Sequence, residues 1–166
     1  MTIESHLRLA AVIAAHTDHK VVGRTRLQKT VRLLQRLGFP TDYRFTLHFY
    51  GPYSEALQAE VNLLNVVGLI EERPHVSHDG TPYYTIAAIG DASLPDLGDF
   101  DTVINRLDKA DSVVLELAAT YDTFRELGCD HDEALRRLRR KKGSKCDESR
   151  DRQALDLLRE LGLPTD

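Results

Sequence analysis

Lys20 to Arg36 carries six cationic side chains and no carboxylate, and Arg136 to Lys145 carries seven and again none, in a chain of 166 residues with a formal net charge of −4. The rest of the sequence holds 9 cations against 26 acids. Gathering like charge raises the self-repulsion of a folded domain, so such runs mark surfaces that meet a polyanion or an acidic protein. In the first run Lys29, Arg32 and Arg36 fall within a sector of about 60° on a helix and could track a phosphate backbone together. Arg24 and Arg26 occupy the first helical turn, where free N–H groups also favour anions. In the second run Arg136, Arg137, Arg139, Arg140, Lys141 and Lys142 supply denser charge, with Lys145 just beyond and no aromatic residue in the run for base stacking. Each run also has a structural reading. The first is then a helix face balanced by carboxylates of the C-terminal helices. The second complements a helix C-terminus and pairs with Glu148, Asp151 or the acidic linker over 91–101.

Other residue types point less far. Tyr50 and Tyr53, with Phe49, flank Gly51-Pro52 and form a candidate partner-binding anchor, since aromatics are enriched at interface hot spots. The alternative is that Gly51 adopts a demanding backbone conformation and the rings staple a strand to a helix. His16 and His19, and His75 and His78 beside Asp79, lack the third and fourth converging ligands that a metal requires, so no metal is expected. No nucleophile elbow, phosphate-binding glycine loop or zinc-protease helix is present, and Asp130-His131-Asp132-Glu133 reads as an acidic helix start. No catalytic residue, no enzyme activity and no cofactor are expected.

The elements that must position these residues are mostly helical. Ile3–His16 has helical apolar spacing, and Gly23 precedes a helix over Arg24–Leu37. There Leu27, Val31, Leu33, Leu34 and Leu37 form an apolar face opposite Arg24, Gln28, Lys29, Arg32, Gln35 and Arg36. Tyr43–Tyr50 alternates as a strand or extended segment does, Gly51-Pro52 reads as a turn, and Ser54 as the cap of a helix over Glu55–Val67 that buries Leu57, Val61, Leu64 and Val67. Leu69–Arg73 and Tyr83–Ile89 read as strands joined by a turn-rich tip. Helices are expected over Thr102–Lys109, Ser112–Leu127, His131–Lys142 (capped by Asp130) and Asp147–Leu161.

The expected fold class is α+β and mostly α, with a winged-helix-like N-terminal half (1–90), an acidic linker (91–101) and a helical C-terminal half (102–166) packed on the first, the alternative being one single domain. No apolar run approaches the ~18 residues of a membrane span, so no membrane partner is expected. The N-terminus has neither a basic n-region nor a continuous apolar stretch, and Cys129 and Cys146 are too few for a disulfide framework. A reducing cytoplasmic setting is expected.

Gly23-Arg24-Thr25-Arg26-Leu27-Gln28-Lys29-Thr30, then His48-Phe49-Tyr50-Gly51-Pro52-Tyr53-Ser54, then Gly68-Leu69-Ile70-Glu71, resembles the YwgA-like bacterial and archaeal proteins. More distantly this order resembles the Panacea domain of SocA- and GepA-type antitoxins, as does the tract from Leu115 to Tyr121. The resemblance covers most of the chain and implies a winged-helix-like fold; its Panacea side implies toxin neutralisation through direct protein contact. The sequence departs from the antitoxin-like pattern where the turn continues into Tyr53-Ser54 instead of a second apolar residue. The leading functional expectation is a non-enzymatic cytosolic module that binds nucleic acid through phosphates, in a regulatory or defence-associated role. The alternative is an antitoxin-like or adaptor module whose basic face meets an acidic protein. A homodimer is compatible with either. The helix that would enter a groove in a winged helix, Glu55–Val67, contains two glutamates and no Lys or Arg, which turns the expectation towards backbone contacts.

Overall fold

The computed structural model describes residues 2–90 and 93–166. Asp91, in the expected acidic linker, lies outside them. Helix starts follow local chemistry. Thr2, Ser54, Asp111, Asp130 and Asp147 each accept a backbone N–H from the first turn that follows, satisfying donors a helix start leaves unpaired. The helices are α1 (Ile3–Ala14), α2 (Arg24–Arg36), α3 (Glu55–Val66), α4 (Phe100–Asp108), α5 (Ser112–Glu126), α6 (His131–Lys142) and α7 (Glu148–Glu160). Short strands β1 (Lys20–Val22), β2 (Thr46–His48), β3 (Gly51–Tyr53), β4 (Ile70–Val76) and β5 (Pro82–Ala88) complete an α+β, mostly helical chain.

β1, β5 and β4 form an antiparallel sheet in that order, with Val21 and Glu72 on either side of Ile86. Val21, Ile70 and Ile86 point inward, against α1, α3 and the Leu27, Val31 and Leu34 face of α2. Leu94 and Leu97 of the segment before α4 pack on this same cluster. A second cluster gathers α5, α6 and α7 around Leu115, Ala118, Tyr121, Leu138 and Leu158, and it includes Leu33 of α2. α2 therefore belongs to both clusters. Every residue from Leu27 to Leu34 is buried, polar ones included.

Three local expectations are corrected. The stretch Tyr43–Tyr50 is not one strand. Only Thr46–His48 pairs, while Tyr43 is buried and its hydroxyl donates to buried Glu60. Gly51-Pro52 is not the turn either. Phe49 and Tyr50 form the turn, and Gly51 pairs across from His48 as the first residue of β3. Val67 does not join the core but stands exposed beyond the end of α3.

Gly51 needs to be glycine on two grounds. Its φ is +96°, and a Cβ placed there would lie 2.5 Å from Thr120 Oγ1. Gly51→Ala is expected to destabilise the chain by about 2 to 4 kcal/mol in urea unfolding. Adding Thr120→Ala should restore the steric part of that loss and leave the backbone part. A Gly51→Ala protein as stable as wild type would show that the hairpin does not sit this close to α5.

Candidate nucleic-acid interface

The α2 cations expected to face a phosphate backbone face the protein instead. α2 packs on α5, and the contact runs along the polar side of α2. Lys29 is 1 % exposed and Arg32 4 %. Arg36 donates from Nε to Asp122 Oδ2 at 2.8 Å and from Nη2 to Oδ1 at 3.3 Å. Arg32 bonds Glu126 and lies 3.7 Å from Asp122 Oδ2, so one fully buried carboxylate serves two guanidinium groups. Pairing with Asp122 lifts Arg36 further above its ordinary range. Arg26 donates to the carbonyls of Leu107 and Ala110, both at 2.9 Å, closing the C-terminus of α4. Arg24 grips Glu72 with Nε and Nη2 at 2.9 and 2.5 Å, and its guanidinium lies 3.6 Å from the centre of the Tyr84 ring. The solvated basic face is thus an interior ionic seam, and the reason is the second neighbour, α5.

Two residues of α2 fix the β2–β3 hairpin. Gln28 donates from Nε2 to Ser54 O at 3.0 Å and accepts from Ser54 N at 2.8 Å, imitating a strand pairing with its amide. Lys29 Nζ donates to Pro52 O at 2.7 Å. The Gln28-Lys29 pair and the Tyr50-Gly51-Pro52-Tyr53-Ser54 tract are therefore the two halves of one clamp.

The second basic run divides. Arg136 and Arg137 pair with Glu133 on the same helix, and Arg139 donates to Asp151 at 2.9 Å. Those pairs with Glu133 hold its carboxyl down at about 2. Lys142 is buried, donating to Glu116 Oε1 at 2.6 Å and to Phe49 O at 3.2 Å. Lys145 reaches both Glu116 oxygens at 3.2 and 3.0 Å and lies 5.0 Å from the centre of the Tyr50 ring. Arg140 and Lys141 are exposed and make no ion pair among the described residues.

The two basic runs meet, but inside the protein, around Glu116. On the outside of that junction the hairpin tip projects: Phe49 is 81 % and Tyr50 55 % exposed, with their rings edge to face at 4.9 Å. Tyr53 is half-buried behind them and tilts against His48 at 5.1 Å. The tip thus brings to the end of α6 the aromatic surface that the Arg136–Lys145 run lacks.

No protein-family model matches the chain. It is 28 % identical over 127 residues to a protein of Bacillus subtilis (strain 168) described as "Uncharacterized protein YwgA", across 74 % of this chain and 75 % of that one. This likeness supports a YwgA-like family.

Sequence reasoning missed Glu116, Asp122, Gln28 and the docking role of Lys145. A signal was present for two of them. Glu116 and Asp122 are the only acids in the mostly apolar tract Val114–Phe124, and an acid on a buried helix face requires a cation from a neighbour. Removing that partner should show it. Asp122→Ala is expected to cost about 3 to 5 kcal/mol in denaturant unfolding, because it leaves Arg32 and Arg36 without their shared acceptor.

Lys29 gives a pH signature. Burial pushes its ammonium from 10.5 down to about 8, against the pull of Glu116. Below pH 8 folded and unfolded chains both hold the proton and the full burial penalty applies. Between about 8 and 10.5 the unfolded chain binds more protons, so stability rises with pH. Relative to Lys29→Met, wild type should gain up to about 3 kcal/mol across that window. A pH-independent difference between the two proteins would show that Lys29 titrates normally.

Proposed function

We propose that this chain is a non-enzymatic cytoplasmic module that binds single-stranded nucleic acid, stacking bases on Phe49 and Tyr50 and meeting phosphates with Arg140, Lys141 and Lys145. One observation carries the reading: an exposed aromatic tip is fastened to the cation-rich end of α6 by Lys142 and Lys145. Aromatic platforms beside a basic track suit single strands, at about 1 to 3 kcal/mol per stacked base and with little sequence preference. The order α1–β1–α2–α3–β4–β5, with the β2–β3 hairpin inserted between α2 and α3 and with β1 beside β5, suits a winged-helix-like fold. In that reading α3 would be the groove helix, and its lack of Lys or Arg argues against major-groove recognition.

A second reading, protein binding of the Panacea antitoxin kind, draws on another face. Leu63, Val66 and Val67 form an exposed apolar ridge at the end of α3, with Val66 82 % exposed. Val66→Arg would disrupt such a contact and leave oligonucleotide binding unchanged.

Fluorescence anisotropy with labelled single- and double-stranded oligonucleotides tests the first reading. Three phosphate contacts predict a log–log salt slope of about −2 on single strands. Phe49→Ala with Tyr50→Ala should weaken binding by about thirtyfold or more at fixed salt. Arg140→Ala with Lys141→Ala should instead flatten the slope by about 1.4. All four side chains are exposed, so folding is preserved. Absence of single-strand binding at low salt, or indifference to both double variants, would sink the reading.

A further inference from the structure

Behind the tip, between α2 and the β2–β3 hairpin, lies a cleft of about 320 Å³ lined by Arg24, Thr25, Lys29, His48, Tyr50 and Tyr53 among others. Clefts near 300 Å³ are at the small end of ligand sites, enough for one compact molecule. Lys29 is the unusual member of the lining. Its ammonium has three donors, yet Pro52 O is the one acceptor it bonds among the described residues, and no described carboxylate lies within 4 Å of it. The charges that bear on it most are one acid, Glu116, and three lysines, Lys142, Lys145 and Lys141. Glu116 is already engaged by Lys142 and Lys145. A buried cation surrounded by excess like charge is costly unless an anion joins it. Arg24 on the lining is fixed by Glu72 and Tyr84, so its guanidinium is pre-oriented. Tyr50 and Tyr53 offer ring surface beside these cations.

We propose that this cleft binds a nucleoside phosphate, with the phosphate facing Lys29 and the base against Tyr50 and Tyr53. The base rests on the nucleic-acid reading above; the phosphate rests on Lys29 alone. The ligand is either a free mononucleotide or the phosphorylated end of a strand, since both present the same phosphomonoester chemistry.

Calorimetry on the full chain with adenosine 5′-monophosphate and with adenosine tests this. The phosphate should tighten binding by at least about tenfold. Thr25→Glu provides the blocking variant. Thr25 is exposed in the first turn of α2, where an acid suits the helix dipole, so folding is retained while a carboxylate enters the cleft. It should weaken mononucleotide binding by about tenfold or more and leave the salt-dependent binding of unphosphorylated strands in place. No binding of the mononucleotide up to about 10 mM, equal affinity for adenosine, or indifference to Thr25→Glu would overturn the proposal. Mononucleotide binding without strand binding would keep the cleft and dismiss the tip; strand binding without mononucleotide binding would do the reverse. A 5′-phosphorylated strand that binds more tightly than its 5′-hydroxyl counterpart identifies the strand end as the ligand. Equal affinity of the two strands identifies the free nucleotide.

Discussion

The burial of α2 against α5 is the constraint on which the rest of the structure depends. α2 has apolar residues for two clusters and a polar face that neither cluster can solvate. Asp122 on α5 answers Arg32 and Arg36, and Glu116, about 1.7 turns earlier, answers the lysines of the α6 end. Pairs of this kind seldom add net stability over a well-packed apolar seam, but a missing or misplaced partner is strongly unfavourable. They therefore act on register: sliding α2 along α5 by one turn would separate each cation from its acid. The sheet-bearing half and the helical half are held in one arrangement through this seam.

The hairpin inherits its position from the same helix. Gln28 and Lys29 are adjacent on α2, so the carbonyls and N–H they hold, at Pro52 and Ser54, must also be nearly adjacent along the chain. Gly51 lets β3 approach α5 closely enough for Lys142 to reach Phe49 O from the far side. Held from both sides, the two-residue turn has nowhere to place Phe49 and Tyr50 except in solvent. Exposure of two large aromatics is thus a consequence of how tightly the residues behind them are fixed.

The helices were legible because their ends carry chemistry of their own: Ser54 and Asp130 cap where their side chains suggest, and α6 spans His131–Lys142 as its spacing and charge imply. Of the two readings of the α2 basic face, the balance by carboxylates of a C-terminal helix is the one the ion pairs with Asp122 and Glu126 bear out, while the burial of that face was not legible. Periodicity separates two faces of a helix, but it does not say whether the polar one meets water or another helix. That information sat elsewhere in the chain, in Glu116 and Asp122, acids on a helix too apolar to leave them unpaired. The hairpin was hidden because Gly51-Pro52 has the composition of a turn, and strands of three residues are too short to show alternation. Of the candidate site, the second cationic run and the aromatic tract were each visible; their contact, made through Lys142 and Lys145, is a tertiary fact with no local trace.

Charge segregation along the sequence accordingly has a cause other than a polyanion. Of the six cations in Lys20–Arg36, Arg24, Arg32 and Arg36 have their acids supplied by β4 and α5, and Arg26 is taken up by carbonyls at the end of α4. Most of the second run is consumed in the same way, by Glu133, Asp151 and Glu116. What is left over is small and local. Among the described residues Lys29 bonds one acceptor, Lys20, Arg140 and Lys141 have no paired acid, and Lys145 is shared between Glu116 and the Tyr50 ring. Of these groups, Lys29 and Lys145 lie against the β2–β3 hairpin. Long-range attraction between so few charges and a strand is weak at physiological salt, where the screening length is about 8 Å. Any recognition here must therefore come from contact, with ring stacking and one desolvated ammonium contributing more than the field of the protein as a whole.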